Sequence, residues 1–264
     1  MKITVFTSNS IRHNYLCQTL HEFSSELNII QEIDTVHIGK NQNQYKKISK
    51  TFYKYFKKVH SAQKKIFKKN YFELSKKKTK IINLKMGDLN LLKKSDLSPF
   101  LKSDIYIIFG CSFIKGWLAN FLIKKKAINI HMGISPYYKG ADCNFWAIYE
   151  GNTNLVGATI QYLSKDLDNG PILFHAINEY HSNPFIYTML SVKSAIIGVK
   201  KYLKQKKKVK PTSIRNPSFS KLTKKKSFND KIIKKFFAKK IIKKNFYTNT
   251  LIRPFILKRR YFFR

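Results

Sequence analysis

Ser103-Asp-Ile-Tyr-Ile-Ile-Phe109, stopped by Gly110, becomes a continuous apolar run with no polar alternate after Asp104. A strand with one wet face alternates. A run without alternation predicts a strand covered on both faces, as in the parallel sheet of an α/β protein. Ala127–His131 (AINIH) is a second such run. Lys2–Thr7 is a third, ending in Ser and Asn and followed by helical spacing from Ile11 to Phe23. Strands alternating with helices predict an α/β fold: a Rossmann-like, mostly parallel sheet flanked by helices, with sites at the strands' carboxyl ends.

The first strand is not followed by G-x-G-x-x-G, and no Walker-type loop occurs, so nothing anchors a dinucleotide or nucleoside-triphosphate reading. Tyr45, Ile48, Phe52, Tyr55, Val59, Ala62 and Ile66 follow at spacings of three and four, predicting an amphipathic helix with a lysine-rich outer side. That helix is expected to lie on the sheet; a partner-binding or homodimer helix is the alternative. Asn183-Pro184 predicts a helix start with an asparagine cap, and Phe185, Met189, Val192, Ile196, Val199 and Leu203 form its apolar stripe. Pro211 and Pro217 mark a linker, which gives a catalytic domain over 1–205 and a short, basic, helical C-terminal extension over 206–264. In the extension, Ser227 and Asp230 have capping-box spacing ahead of Ile232, Ile233, Phe236, Phe237 and Ile241. Such a helix either packs on its own domain with lysines outward or lies on an acidic membrane.

Fifty-two basic residues against 14 acidic ones give a formal charge of +38, the kind of value that suggests nucleic acid or an anionic membrane. The distribution weakens that reading. Residues 101–200 hold 9 basic and 6 acidic residues, whereas 201–264 hold 23 and 1. Only six of the basic residues are arginine, whose planar fork suits phosphate and base recognition. Lys, Ile, Asn, Phe and Tyr are also the residues of A/T-rich codons, so genome composition accounts for much of the charge. Cys17, Cys111 and Cys143 form neither a disulfide framework nor a C-x-x-C metal pair. With no apolar run of membrane-spanning length and no signal-peptide pattern, a cytoplasmic location is expected.

The stretch that carries chemistry is Asn129-Ile-His131, then Ser135-Pro-Tyr-Tyr-Lys-Gly140, then Trp146, then Leu167-Asp168-Asn-Gly170. Residues two apart on a strand share a face, so Asn129 and His131 point the same way, and neither suits an apolar strand without polar work. Asp168-Asn-Gly is a turn able to present a carboxylate. An imidazole that titrates near about 6.5 can exchange protons at neutral pH. A carboxamide can donate to an oxyanion, an interaction worth about 3–4 kcal/mol in acyl-transfer sites. A carboxylate can orient the imidazole, favour its cationic form and fix a proton-relaying water.

In this order the motifs resemble the folate-dependent formyltransferases, whose pattern is an Asn-x-His pair, a Pro-x-Tyr-(Arg/Lys)-Gly loop and a Leu-Asp-x-Gly turn. The resemblance is specific over 127–173 and looser over 1–200. It implies N10-formyltetrahydrofolate as formyl donor, a primary amine as acceptor, no metal, and Asn129, His131 and Asp168 as the catalytic residues. It also implies that the donor's pterin lies along Gly110, Cys111, Ser112, Phe113 and Ile114 and against Lys165, Asp166 and Leu167. Cys111 is read as a pocket-wall residue, because no basic neighbour in sequence activates its thiol.

The acceptor is left to finer features. About sixty residues after 205 are too few, and too helical in pattern, for the C-terminal barrel of methionyl-tRNA formyltransferases. The 129–147 stretch looks most like the sugar N-formyltransferases, which act on nucleotide-linked amino sugars. Arg12 and His13 at the start of the first helix, with Asn9 before them, are candidate contacts for an acceptor's diphosphate. Tyr137, Tyr138 and Trp146 either stack on a sugar or base or wall the loop. Lys139 stands where the family often has arginine and loses the planar fork. Two alternatives remain at this level: a tRNA acceptor gripped by the basic tail, and a non-catalytic RNA- or membrane-binding protein on this scaffold.

Overall fold

The computed structural model describes residues 1–33, 49–68, 78–205, 209–213 and 218–244. In chain order the elements are β1 (Lys2–Ser8), α1 (Ile11–His21), β2 (Glu26–Ile33), α2 (Lys50–Phe67), β3 (Thr79–Lys85), α3 (Lys94–Leu97), β4 (Ile105–Phe109), α4 (Gly116–Lys124) and β5 (Ile128–His131). They continue with β6 (Tyr138–Gly140), α5 (Cys143–Tyr149), β7 (Ala158–Tyr162), β8 (Ile172–Ala176), α6 (Pro184–Lys204), β9 (Lys221–Thr223) and α7 (Asp230–Ala238).

Seven strands form one sheet in the order β3-β2-β1-β4-β5-β7-β8. The first five run parallel, and β7 and β8 join as an antiparallel hairpin. This is the expected α/β architecture, with helices on both faces. The apolar run that predicts a doubly covered strand becomes β4, which lies between β1 and β5 with Tyr106, Ile107, Ile108 and Phe109 buried. One face of the sheet carries Ile3, Val5, Ile29 and Ile107 against the α1 and α6 side. The other carries Phe6, Ile30, Tyr106 and Ile108 against Leu118 and Leu122 of α4.

Two helices differ in detail from their sequence signals. Helix α2 is capped by Ser49, whose hydroxyl accepts from the Phe52 N–H, and Tyr45 and Ile48 of its expected stripe lie outside the described residues. Its neighbours are α1, α6 and α7, so it forms an outer layer on helices instead of lying on the sheet. The reason is its aromatic stripe: Tyr55 meets Phe145, Phe185, Phe228 and Phe236, a surface supplied by helices and loops. Helix α7 starts at an Asn229 cap accepting from the Ile232 N–H, not at the Ser227 capping box. Ser227 is taken up in a preceding turn, and Asp230 accepts a 2.6 Å hydrogen bond from the Ser49 hydroxyl. Ile233 and Phe236 are buried while Lys231, Lys234 and Lys235 are exposed, which is the packed arrangement with lysines outward. Helix α6 begins as expected, with the Asn183 side chain accepting from Phe185 and Ile186 N–H. Among the described residues no helix is long and apolar enough to cross a membrane.

Candidate active site

Strand β5 pairs Ile107 with Ile128 and Ile108 with Asn129, so Asn129 and His131 share the sheet face of Ile108 and Phe6. Over β5 that face is met by the turn after β7. There Asp168 takes a left-handed φ of 50°, which an aspartate tolerates better than most residues. The turn brings the carboxylate down on both strand side chains. Asn129 Nδ2 donates to Asp168 Oδ1 over 3.3 Å, and His131 Nδ1 lies 3.2 Å from Asp168 Oδ2. The backbone N–H of Gly140 donates to the same Oδ2 at 2.9 Å. His131 Nε2 reaches the Tyr138 carbonyl at 2.9 Å. The three groups therefore converge.

Supporting contacts hold the loop between β5 and β6. Thr159, opposite His131 in the register, donates to the Gly133 carbonyl at 2.6 Å and accepts from the Ser135 N–H at 2.8 Å. Ser135 Oγ donates to the Asp168 carbonyl, and His175 Nε2 donates to the Ser135 carbonyl.

The surroundings of His131 shift its titration upward, in the direction expected of a neighbouring carboxylate. Burial works against its cation. The Asp168 carboxylate, the neighbouring Cys143 and the Tyr138 carbonyl outweigh that cost and push its pKa up to about 10. With acceptors at both nitrogens, the surroundings favour the doubly protonated ring, which can donate an N–H bond to each.

The loop expected to meet the donor follows β4. Phe113 and Leu167 are 56% and 42% exposed, while Ile114 turns into the core. Lys165 and Asp166 are exposed beside Leu167. Burial, with Glu32 nearby, pushes the Cys111 thiol up to about 12, in keeping with a pocket-wall residue. Sequence reasoning missed two residues that shape this loop. Glu32, fully buried at the end of β2, accepts from Ser112 N–H and Ser112 Oγ at 2.5 Å each and from Gly87 N–H at 2.9 Å. Asn90 donates to the Phe113 carbonyl and accepts from the Lys115 N–H. A carboxylate near the end of the strand-like Leu27–Ile33 segment, which also holds Asn28 and Gln31, was the one available signal for Glu32.

At the start of α1, Arg12 is half-buried; burial lowers its pKa to about 10 against the pull of Asp142. His13 is buried, with Nδ1 3.0 Å from Ser8 Oγ and 2.9 Å from Ser10 Oγ, and its ring meets Phe109 edge-on. His13 is thus a support beneath the site, whereas Asn9, Arg12 and Lys139 are partly exposed. Tyr137, Tyr138 and Trp146 are buried and wall the loop. The Tyr138 hydroxyl donates to Glu150 and accepts from Asn152, which leaves its backbone carbonyl, not its ring, at the centre. Among the described residues no group of three or more His, Cys, Asp or Glu is placed to hold a metal ion.

The formyl transferase family matches residues 100–181. Over 127 residues, 47% of this chain, the sequence is 31% identical to a methionyl-tRNA formyltransferase of Thermodesulfovibrio yellowstonii, covering 40% of that protein. Over 86 residues, 32% of this chain, it is 35% identical to a mitochondrial formyltetrahydrofolate deformylase of Arabidopsis thaliana, covering 24% of it. The chain thus aligns with less than half the length of these curated relatives. Among solved structures, a phosphoribosylglycinamide formyltransferase of Anaplasma phagocytophilum superposes with a TM-score of 0.50 at 17% identity, over 77% of this chain and 85% of that one. A Mycobacterium tuberculosis protein, whose sugar N-formyltransferase role is itself inferred, gives 0.51 at 15% identity, over 86% of this chain and 76% of that one. At such identities these structures speak for the fold alone. The stretch that builds the Asn129–His131–Asp168 centre is therefore formyl-transferase-like in sequence.

Proposed function

We propose that the chain is an N-formyltransferase that moves the formyl group of N10-formyltetrahydrofolate to a primary amine, with a nucleotide-linked amino sugar as acceptor. The observation that carries this reading is the convergence of Asn129 and His131 on the Asp168 carboxylate. A neutral amine attacks the formyl carbon, and the carbonyl oxygen becomes an oxyanion. The Asn129 carboxamide has two N–H bonds, one directed at Asp168 and the other available to the oxyanion. The His131 cation favours the same charge. The nitrogen of tetrahydrofolate leaves once it receives a proton, and His131 Nε2 is the acid for that step after parting from the Tyr138 carbonyl; the extra proton on the attacking nitrogen then passes to the neutral ring, which restores the cation as the formamide forms. Asp168 keeps the ring oriented throughout.

The exposed Phe113 and Leu167 suit the apolar faces of the donor's ring system. Arg12 at the start of α1 suits a diphosphate. The test is transfer of a ¹³C-formyl group from the donor, followed by NMR. Label appearing in an amide of a nucleotide-linked amino sugar supports the reading. Label in none of the amines offered, with donor bound, overturns it.

A second reading has its own support in the deformylase relatives, whose name implies water as the acceptor. It predicts labelled formate without amine. A tRNA acceptor, suggested by the bacterial relative's name, predicts labelled Met-tRNA and an affinity that falls steeply with salt.

A further inference from the structure

The charge of the C-terminal segment directs attention outward, yet its contacts run inward. Lys224, Lys225 and Lys226 are exposed, but Thr223, immediately before them, is 4% exposed and lies against the loop that closes the catalytic centre. Strand β9 runs parallel to β6, pairing Tyr138 with Lys221, Lys139 with Leu222 and Gly140 with Thr223.

Strand β6 has two hydrogen-bonding edges, and successive residues of a strand present their backbone groups to opposite edges. Tyr138 and Gly140 face the catalytic groups: the Tyr138 carbonyl accepts from His131, and the Gly140 N–H donates to Asp168. Residues 137, 139 and 141 face β9. The Tyr137 carbonyl accepts from the Lys221 N–H at 2.8 Å, and the Ala141 N–H donates to the Thr223 carbonyl at 3.0 Å. Thr223 Oγ1 donates to the Lys139 carbonyl at 3.1 Å, with the Ala141 carbonyl as a second, closer acceptor. One edge of this three-residue strand thus holds the reacting pair while the other is held by the tail.

We propose that β9, acting chiefly through Thr223, is a positioning element of the catalytic centre, fixing β6 where Gly140 N–H and the Tyr138 carbonyl clamp the Asp168–His131 pair. Three further observations support it. Gly140 has a φ of 93°, and a Cβ built there would stand 2.2 Å from the Thr223 carbonyl oxygen, so the two backbones approach more closely than any side chain permits. The strand is anchored on both sides of its pairing. Ser220 Oγ donates to the Pro136 carbonyl at 2.7 Å, and Lys221 pairs with Glu150 and lies 4.6 Å over the Trp146 ring. Glu150 in turn accepts from the Tyr138 hydroxyl. Downstream, Phe228 and Phe236 each pack 4.8 Å from the Phe145 ring of α5, the helix that follows the clamped loop.

This inference rests on the formyl-transfer reading for its kinetic readout but not for its structural one. The test is Thr223→Val in the full chain, which keeps the shape and removes the hydroxyl. Formyl transfer is expected to lose about tenfold in kcat with KM for donor and acceptor within about twofold, as for an interaction felt at the reacting groups and not in binding. The His131 ring titration, followed by NMR without substrates, is expected to move down from about 10. Thr223→Ser is expected to restore both, since it returns the Oγ.

A folded Thr223→Val with wild-type kcat and an unmoved His131 titration overturns the proposal. If the wild-type chain transfers no formyl group but the His131 titration still responds to Thr223→Val and recovers in Thr223→Ser, the positioning role stands and the formyl-transfer reading fails. If Thr223→Val does not fold, Ser220→Ala, which removes only the anchor of this exposed serine on Pro136, is expected to shift both readouts in the same direction to a smaller extent; no shift there counts against the proposal.

Discussion

His13 and His131 are both buried at the carboxyl side of the sheet, one under the loop after β1 and the other at the end of β5, and their surroundings shift their titrations in opposite directions. Burial, and then Arg12, drives the His13 pKa well below its ordinary value. Its Nδ1 meets the hydroxyls of Ser8 and Ser10, which neutral imidazole satisfies. His131 pays the same desolvation, but Asp168 stands at its Nδ1 and a carbonyl at its Nε2, so the cation prevails. One carboxylate on a turn separates the two environments. Burial alone says nothing about which is which.

The largest effect is expected from erasing that difference. Asp168→Asn removes the charge that holds the His131 cation, leaving desolvation unopposed by its main partner. The His131 titration should drop steeply, and formyl transfer should fall by about 10²–10⁴. An Asp168→Asn protein with the wild-type rate would place the chemistry elsewhere.

The two histidines also predict opposite limbs of the stability profile. A raised folded-state pKa gives His131 a contribution that is complete below the unfolded value near 6.5 and is lost as pH rises toward about 10. The depressed pKa of His13 acts the other way: its neutral form is favoured above about 6.5, and stability falls as acid forces a proton onto the unfolded chain in preference. Thermal melts should therefore show the alkaline decline flattened in His131→Gln and the acid decline flattened in His13→Gln, each by about 5 °C or more at the far end of its limb. Parallel profiles for wild type and both variants would remove the distinction.

A smaller effect sharpens the packing side. Gly110 has a φ of 72°, and a Cβ there would lie 2.4 Å from His13 Nε2. Gly110→Ala should cost about 1–3 kcal/mol of stability through strain and overpacking, read in denaturant melts. The smallest expected effect is that of Glu32→Gln. It keeps the carbonyl-side acceptors for Gly87 and Ser112 in part, and should raise KM for the folate donor a few-fold while leaving kcat within about twofold.

Much of this comparison is legible in the sequence, and the illegible part has one character. The Ser103–Phe109 and Ala127–His131 runs announce buried strands because apolar residues without alternation have few other uses. Period-two spacing places Asn129 and His131 on one face without any structure. Asp168 is a turn residue until its 37-residue separation from His131 is matched with the motif order. What the residues do not spell out is the contribution of backbone groups and distant partners. The Gly140 N–H and the Tyr138 carbonyl carry no sequence identity, yet the first holds the Asp168 carboxylate and the second accepts from the His131 ring. Glu32 works on Ser112, 80 residues away. Lys221-Leu-Thr223 is too short to announce itself as a strand, and its partner lies more than eighty residues upstream. The Asn229 cap prevails over Ser227 because an earlier turn and the Ser49–Asp230 bond fix where α7 begins.

The most direct measurement of the central claim is ¹³C-formyl transfer from N10-formyltetrahydrofolate by wild-type protein and by His131→Gln, side by side, with nucleotide-linked amino sugars, Met-tRNA and water as acceptors. The account predicts labelled formamide on an amino sugar from the wild type and a loss of at least about a hundredfold in the variant, with the variant's fold intact by circular dichroism. Equal rates in the two proteins, or no labelled product from the wild type with donor bound, would contradict it.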